Sequence, residues 1–316
     1  MSPGRRLNGA SDGPRPAGVE VPGAIAIAKR KREKLVLDPD ERKAALLNVI
    51  GSAKRRLVLS LFRCDDFSVL DALASALERG CDVEAILTKR AKGPKKRLKK
   101  LWGALEEMGA VVTRYADPVV KYHAKYLVAD DGPAIVTTLN PTRKCFSRTW
   151  DCLLVTHDPA VVKSLLALFR NDVAGKPWSP RRVMSPRLMV GPERSRAELR
   201  RLVASATRSI RILDHKLSDP DMVSLLRDRR AAGVTVTVLG RKSLGLLEPH
   251  GKMMILDESR AIMGSMALST LSLDFRREVS IVIDEPGLVR QLNMMFQAMS
   301  AKAGAAAAHL PGDRIA

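Results

Sequence analysis

Two histidines carry the strongest chemical signal in this chain, each followed by lysine two positions on and aspartate seven positions on. The first set is His123, Lys125 and Asp130; the second, 127 positions later, is His250, Lys252 and Asp257. An imidazole can take or give a proton near neutral pH, and a lysine beside it supplies a fixed positive charge, a pairing suited to an anionic centre such as a phosphate. A phosphodiester repels anionic nucleophiles, so a neutral imidazole is a sensible attacker. Its leaving alkoxide needs a proton, which requires a second imidazole that starts charged. Two like groups must therefore hold opposite protonation states, through coupled titration. Lys125 and Lys252 would hold the non-bridging oxygens. Asp130 and Asp257 lie an odd number of strand positions from their histidines and should point away, in a structural role toward backbone or the other half. This chemistry requires no metal, and no ligand cluster or cofactor motif is apparent.

The spacing match extends beyond the two strings. Twenty-eight positions after each histidine stands an acid, Asp151 and Glu278, opening the apolar runs Cys152-Leu153-Leu154-Val155 and Val279-Ser280-Ile281-Val282. Fourteen positions after each come Thr137-Thr138 and Gly264-Ser265, and Pro159 and Pro286 follow at matching places. The chain therefore holds a duplicated unit.

The elements that must position these groups alternate in type. Lys121 to Asp130 reads as one strand, with His123 and Lys125 on one face. Upstream, strand Leu35–Leu37 leads to a helix near Glu41–Ala53, strand Leu57–Phe62, helix Val69–Leu77 stopped by Gly80, and strand Val83–Leu87. Leu188–Pro192, helix Ala197–Ala206, strand Ser209–Leu213, Gly233 and strand Val234–Leu239 repeat this pattern 153 positions later. The offset then falls to 127, so the first half holds 26 extra residues between Leu87 and His123. That insert carries Lys89, Arg90, Lys92, Lys95, Lys96, Arg97, Lys99 and Lys100 ahead of an apolar helical face (Leu98, Leu101, Trp102, Leu105, Met108) and a strand Ala110–Tyr115. The basic face suits a polyanion or an acidic lipid surface. The expected fold is α/β: two similar halves, each a mixed, largely parallel sheet flanked by helices. Residues 1–34 read as a disordered basic tail ending in Lys29-Arg30-Lys31-Arg32, 35–172 as the first half, 173–187 as a Pro-containing linker, 188–300 as the second half and 301–316 as a frayed tail.

A net charge of +20, from 54 basic against 34 acidic side chains, favours anionic partners: an acidic membrane surface, a phosphorylated substrate or nucleic acid. Cys64, Cys81, Cys145 and Cys152 form no CxxC and suit a reduced, cytoplasmic protein. No apolar run reaches transmembrane length, and Ala24–Ala28 is too short for a secretory signal core. His157, His309 and the His215-Lys216 pair lack the motif spacing and read as surface or packing residues.

The double His-x-Lys-x4-Asp pattern over residues 35 to 300 resembles the phospholipase D superfamily, including its cardiolipin synthase-like members. The resemblance implies two α/β halves related by a pseudo-two-fold axis around one active site. It also implies a covalent phosphohistidine, with His123 as nucleophile and His250 as general acid. Asp151 and Glu278 match the acids that fix the imidazole tautomers, and Thr138, Asn140 and Ser265 stand where that family binds phosphate. The usual Gly-Ser-x-Asn is Thr137-Thr138-Leu139-Asn140 in one half and Gly264-Ser265-Met266-Ala267 in the other, which predicts a weaker phosphate grip in the second half. The function implied is a phospholipid phosphodiesterase or phosphatidyltransferase. A metal-independent nuclease and a non-catalytic anion-binding module are the alternatives. Few aromatics are available to stack on bases.

Overall fold

Asp38-Pro39 turns the first strand into the first helix. In the computed structural model, β1 (Lys34–Val36) precedes α1 (Pro39–Ser52); Asp38 caps the helix by accepting the Asp40 N–H at 2.9 Å, and Pro39 takes a position whose N–H would have no partner. The helix thus starts two residues before Glu41. The described residues are 33–89, 95–176, 178, 184–240, 247–303 and 310, all within one compact unit, Lys31–Ala316. The expectations for the tail before Glu33, for Arg90 and Lys92, for Pro177 and Pro180, for His309 and for the last residues lie outside them.

The first half continues with β2 (Arg56–Leu61), α2 (Phe67–Glu78), β3 (Asp82–Thr88), α3 (Lys95–Glu107) and β4 (Val111–Tyr115). Shorter elements follow: β5 (Lys121–Tyr122), β6 (Tyr126–Ala129), β7 (Ala134–Thr137), α4 (Arg143–Ser147), β8 (Thr149–Trp150) and β9 (Leu153–Thr156), then α5 (Pro159–Val173). The second half holds β10 (Leu188–Gly191), α6 (Ser195–Ser205), β11 (Ser209–Leu213), α7 (Pro220–Ala231), β12 (Thr235–Leu239) and β13 (Glu248–Pro249). It ends with β14 (Met253–Leu256), β15 (Arg260–Gly264), α8 (Thr270–Phe275), β16 (Arg276–Ile283) and α9 (Pro286–Ala303), so the tail expected from residue 301 begins as helix.

The sheets repeat one another. The first runs β1-β9-β7-β6-β2-β3-β4 and the second β10-β16-β15-β14-β11-β12, the same order strand for strand except for β4. That strand and α3 come from the 26-residue insert, which extends the first sheet at its edge. Both sheets are mixed, but antiparallel pairs predominate, which corrects the largely parallel expectation. Only β2, β3 and β4, and β11 with β12, pair in parallel within the two repeated orders. These are the strands joined through helices. The strands β6 and β14 that follow the two His-x-Lys pairs instead lie antiparallel to β2 and β11, and turn tightly into β7 and β15.

Asp130 and Asp257 explain those turns. Asp130 accepts backbone N–H groups of Lys54, Arg55 and Arg56 at 2.9 to 3.0 Å, and Asp257 does the same for Thr207, Arg208 and Ser209 at 2.7 to 3.2 Å. Each carboxylate thereby ties the end of its motif strand to the start of the neighbouring strand in its own half, and both lie in the left-handed region with φ of 48° and 51°.

One apolar cluster fills the seam between halves. Tyr122, Tyr126, Val136, Leu165 and Phe169 of the first half are buried with Val190, Met253, Ile281, Leu292 and Phe296 of the second. Two further clusters lie on the outer sheet faces, one in each half, and the second includes Leu310. At the seam the expected strand Lys121–Asp130 is broken. β5 pairs in parallel with the start of β16 in the other half, residues 123–125 leave strand geometry, and β6 then joins the first sheet. The break is set by the opposite half, which takes the His123 N–H on the Arg277 carbonyl at 2.9 Å.

Candidate active site

His123 and His250 both stand where their chain segments cross between the halves. β13 pairs with β8 of the first half, as β5 pairs with β16 of the second. Each imidazole consequently finds its carboxylate on the other half. His123 Nδ1 lies 2.9 Å from Glu278 Oε2, and His250 Nδ1 lies 2.9 and 3.0 Å from the two oxygens of Asp151. With Nδ1–H donated to an acid, each neutral ring keeps its lone pair on Nε2. The acids are held in turn. Asp151 accepts hydroxyl protons from Thr138 at 2.6 Å and Thr149 at 2.5 Å, and Glu278 accepts one from Ser272 at 2.9 Å.

The lysines brace the same segments. Lys125 Nζ donates to the His123 carbonyl at 2.8 Å and lies 3.2 and 3.3 Å from the ring nitrogens; Lys252 Nζ donates to the His250 carbonyl at 2.7 Å. Each ammonium retains further protons for an incoming oxygen. Burial, opposed by Glu278 and reinforced by Lys252, Lys216 and Arg276, pushes the Lys125 ammonium down to about 7. Burial, opposed by Glu278 and reinforced by Lys125, also holds His123 neutral down to about 3. His250 is lowered by burial against Asp151, with Lys252 and Lys125 adding to the fall. For Asp151 and Glu278 burial acts upward, but the paired imidazoles and hydrogen bonds outweigh it and keep both carboxyls below their ordinary values. Cations are thus crowded around His123, which is held neutral, an arrangement that an arriving anion relieves.

Two residues expected to grip phosphate do something else. Thr138 and Ser265 have no exposed surface. The Thr138 proton goes to Asp151, and the Ser265 hydroxyl donates to the Val279 carbonyl at 3.2 Å while accepting the Val279 N–H at 3.0 Å. A hydroxyl has one proton to give, and here it is spent behind the carboxylates. Asn140 sits between β7 and α4 with its Oδ1 buried and unpartnered. His157 is exposed, as expected, but His215 is not merely a packing residue: its ring stacks over that of His250, with centroids 6.2 Å apart.

Cys145, Asp151 and His250 offer ligand atoms within 4.8 Å of one another, a grouping the linear spacing does not reveal. Both Asp151 oxygens already accept hydroxyl protons and the His250 N–H. Hydrogen bonding therefore accounts for the cluster.

A family model described as "Cardiolipin synthase, PLD-like domain" matches residues 46–173 and 243–300, more than half of the chain. The chain belongs to this family. A comparison with curated proteins finds no match. Among solved structures, a polyphosphate kinase from Porphyromonas gingivalis is similar over 85% of this chain at 18% identity and a TM-score of 0.69; the match spans 47% of that protein, so this chain covers about half its length. A phosphatidylserine synthase from Haemophilus influenzae Rd KW20 is similar over 84% of this chain and 86% of its own, at 12% identity and a TM-score of 0.66. At these identities the likeness is one of fold.

For a PLD-like domain, the two halves wall the cleft unequally. Phe62 packs edge-on against His123 with centroids 4.6 Å apart, whereas His215 occupies the matching place over His250, 153 positions later. Phe62 directly follows the C-terminal end of β2 and His215 stands two positions after that of β11, where ligands commonly bind in α/β sheets. That rule, applied to the 153 offset, would have found them. Thr149 and Ser272 carry no such signal, because only folding brings them to the acids.

Proposed function

We propose that this chain is a phospholipase D-type phosphodiesterase or phosphatidyltransferase that cleaves a phospholipid phosphodiester through a covalent phosphohistidine. The reciprocal pairing of each histidine with the opposite half's acid carries the reading, because it orients two imidazoles within one seam. His123 is the nucleophile. It is the more enclosed ring, its side chain 10% exposed against 28% for His250, and it stays neutral to about pH 3. Its Nε2 attacks phosphorus while the bond to the leaving oxygen breaks. His250, with both Asp151 oxygens within 3.0 Å to support a cation, gives its Nε2 proton to that oxygen. It then takes a proton from water or an acceptor alcohol, which attacks phosphorus and breaks the P–N bond. Lys125 and Lys252 hold the non-bridging oxygens, and Asn140 is the remaining phosphate-contact candidate.

Among the described residues no helix is long and apolar enough to cross a membrane. Arg97, Lys99 and Lys100 are exposed on α3 over buried Leu98, Leu101 and Leu105, which supports peripheral contact with an acidic bilayer by a cytoplasmic protein. Rapid quenching with phosphatidylglycerol vesicles labelled in the phosphate, with chelator present, tests the reading. Label should reach His123, and His123→Gln should abolish it. Label on another residue, loss of labelling on chelation, or DNA nicking without lipid turnover overturns it.

A further inference from the structure

Of the seven large apolar side chains that are exposed among the described residues, four stand at the end of the sheets that carries the histidines: Phe67, Val119, Leu271 and Phe275. Val119 is 61% exposed because Asp117 folds the turn between β4 and β5, accepting the Val119 and Val120 N–H groups at 2.8 and 2.7 Å. Exposed Lys89 lies at the base of that turn, its N–H donated to the Tyr115 carbonyl at 3.1 Å. β5 then pairs in parallel with β16, Lys121 opposite Arg276, so Val119 and Phe275 enter that pair from one edge. Leu271 and Phe275, four apart in α8, share a helix face and are 37% and 43% exposed, while Ser272 and Leu273 between them are buried.

The repeat supplies a contrast. At the 127 offset Leu271 matches Lys144 and Phe275 matches Arg148, both exposed, on α4 and directly after it. Lys144 is paired with Glu248 at 2.6 Å, whereas exposed Arg143 and Arg148 have no ion pair among the described residues. α4 leads into β8, which pairs beside His250, just as α8 leads into β16, which pairs beside His123. The same helix is therefore cationic on the His250 side of the cleft and apolar on the His123 side. Solvation alone accounts for the first copy but not for the second.

We propose that Leu271 and Phe275 of α8, with Val119, form a ridge that inserts into an anionic lipid bilayer, while Arg143 and Arg148 hold its surface phosphates across the cleft. The inference deepens the phospholipid reading above and rests on it. Charge complementarity selects the partner: apolar tips flanked by Lys89, Lys121 and the α4 arginines fit a surface that is negative outside and apolar beneath. Nucleic acid would use the cations, but protruding Leu271 and Val119 offer its bases nothing to stack on. Docked in this way, the seam opens toward the headgroups and a lipid reaches the histidines without leaving the bilayer.

Flotation of the full chain with mixed phosphatidylglycerol and phosphatidylcholine vesicles tests the surface without turnover. The double variant Val119→Ser, Phe275→Ser should bind about tenfold or more weakly, since two apolar side chains lose their burial. The double variant Arg143→Gln, Arg148→Gln should lose a similar share. Urea midpoints of both should match the unaltered chain, because the replaced side chains are exposed. Insertion is read separately: brominated acyl chains should quench the added fluorescence of Phe275→Trp but not of Val111→Trp, whose site is 65% exposed at the far end of β4. Equal quenching at both positions, or vesicle binding that survives the serine variant, overturns the proposal. Binding to duplex DNA in place of vesicles, unchanged by the serine variant, overturns it in favour of nucleic acid. Insertion at Phe275 with no label on either histidine from phosphatidylglycerol would fail the catalytic reading and leave the docking surface standing.

Discussion

Asp151 governs a histidine 99 positions away, and its removal has a signed consequence. The carboxylate favours the charged form of His250, so Asp151→Asn leaves burial and the lysines to lower that pKa further. The proton donor is then lost at lower pH. The alkaline limb of kcat should move acidward by about one unit or more, with kcat down about 10²-fold. Glu278→Gln should instead slow labelling of His123, since it disturbs the nucleophile's tautomer. A pH profile of each variant checks this, and an alkaline limb unmoved in Asp151→Asn would remove His250 as the acid. His123 also links folding to pH. Its folded pKa is about 3 against an ordinary 6.5, so the unfolded chain binds the proton first. This contribution is constant above about pH 6.5 and declines as pH falls toward 3, by roughly 1.4 kcal/mol per pH unit. Urea midpoints measured from pH 7.5 to 5 should fall less steeply in His123→Gln than in the unaltered chain.

At the scale of elements, the crossing segments set the geometry and tolerate little change. Gly251 replaces the Ala124 of the first copy, but a Cβ there would meet the Trp150 carbonyl at 2.6 Å. That carbonyl also accepts the Gly251 N–H. Gly251→Ala should therefore push β13 off β8, loosen the His250–Asp151 pair and cut turnover by more than tenfold, although the first copy carries alanine. Turnover and the urea midpoint of the variant check it. The sequence makes the duplicated unit, the order of helices and strands, and the histidine, lysine and acid pairs legible, because each depends on local pattern or equal spacing. The break at His123 is not legible: Tyr122, Tyr126 and Leu127 keep strand propensity across it, and the Arg277 carbonyl that imposes it lies 154 positions on. The exchange of acids between halves escapes for the same reason. Thr138 and Ser265 look like ligands in sequence because a hydroxyl's direction is fixed only by packing.

For the whole molecule, the site exists only while both halves are docked. The seam cluster draws on both, and Arg277 of the second half adds a buried ion pair to Asp172 of the first at 3.0 Å, with Glu193 on its other side at 2.6 Å. Burial raises the Asp172 carboxyl to about 7 even against that guanidinium. Removing the arginine would thus leave an acid that must take up a proton inside the protein. Arg277→Met should lower stability by about 3–5 kcal/mol, read as a shifted urea midpoint, with unfolding still a single transition. The shared core makes a stronger demand. Residues 33–176 and 184–310 produced as separate chains would each expose half of the seam, and each would lack the carboxylate that orients its own histidine. Each alone should bind a dye that reports exposed apolar surface and should show no labelling on histidine. Mixing the two should restore both the burial and the label. A first half that takes label on His123 unaided would show that the opposite acid is dispensable, and the account of a site divided between the halves would then fail.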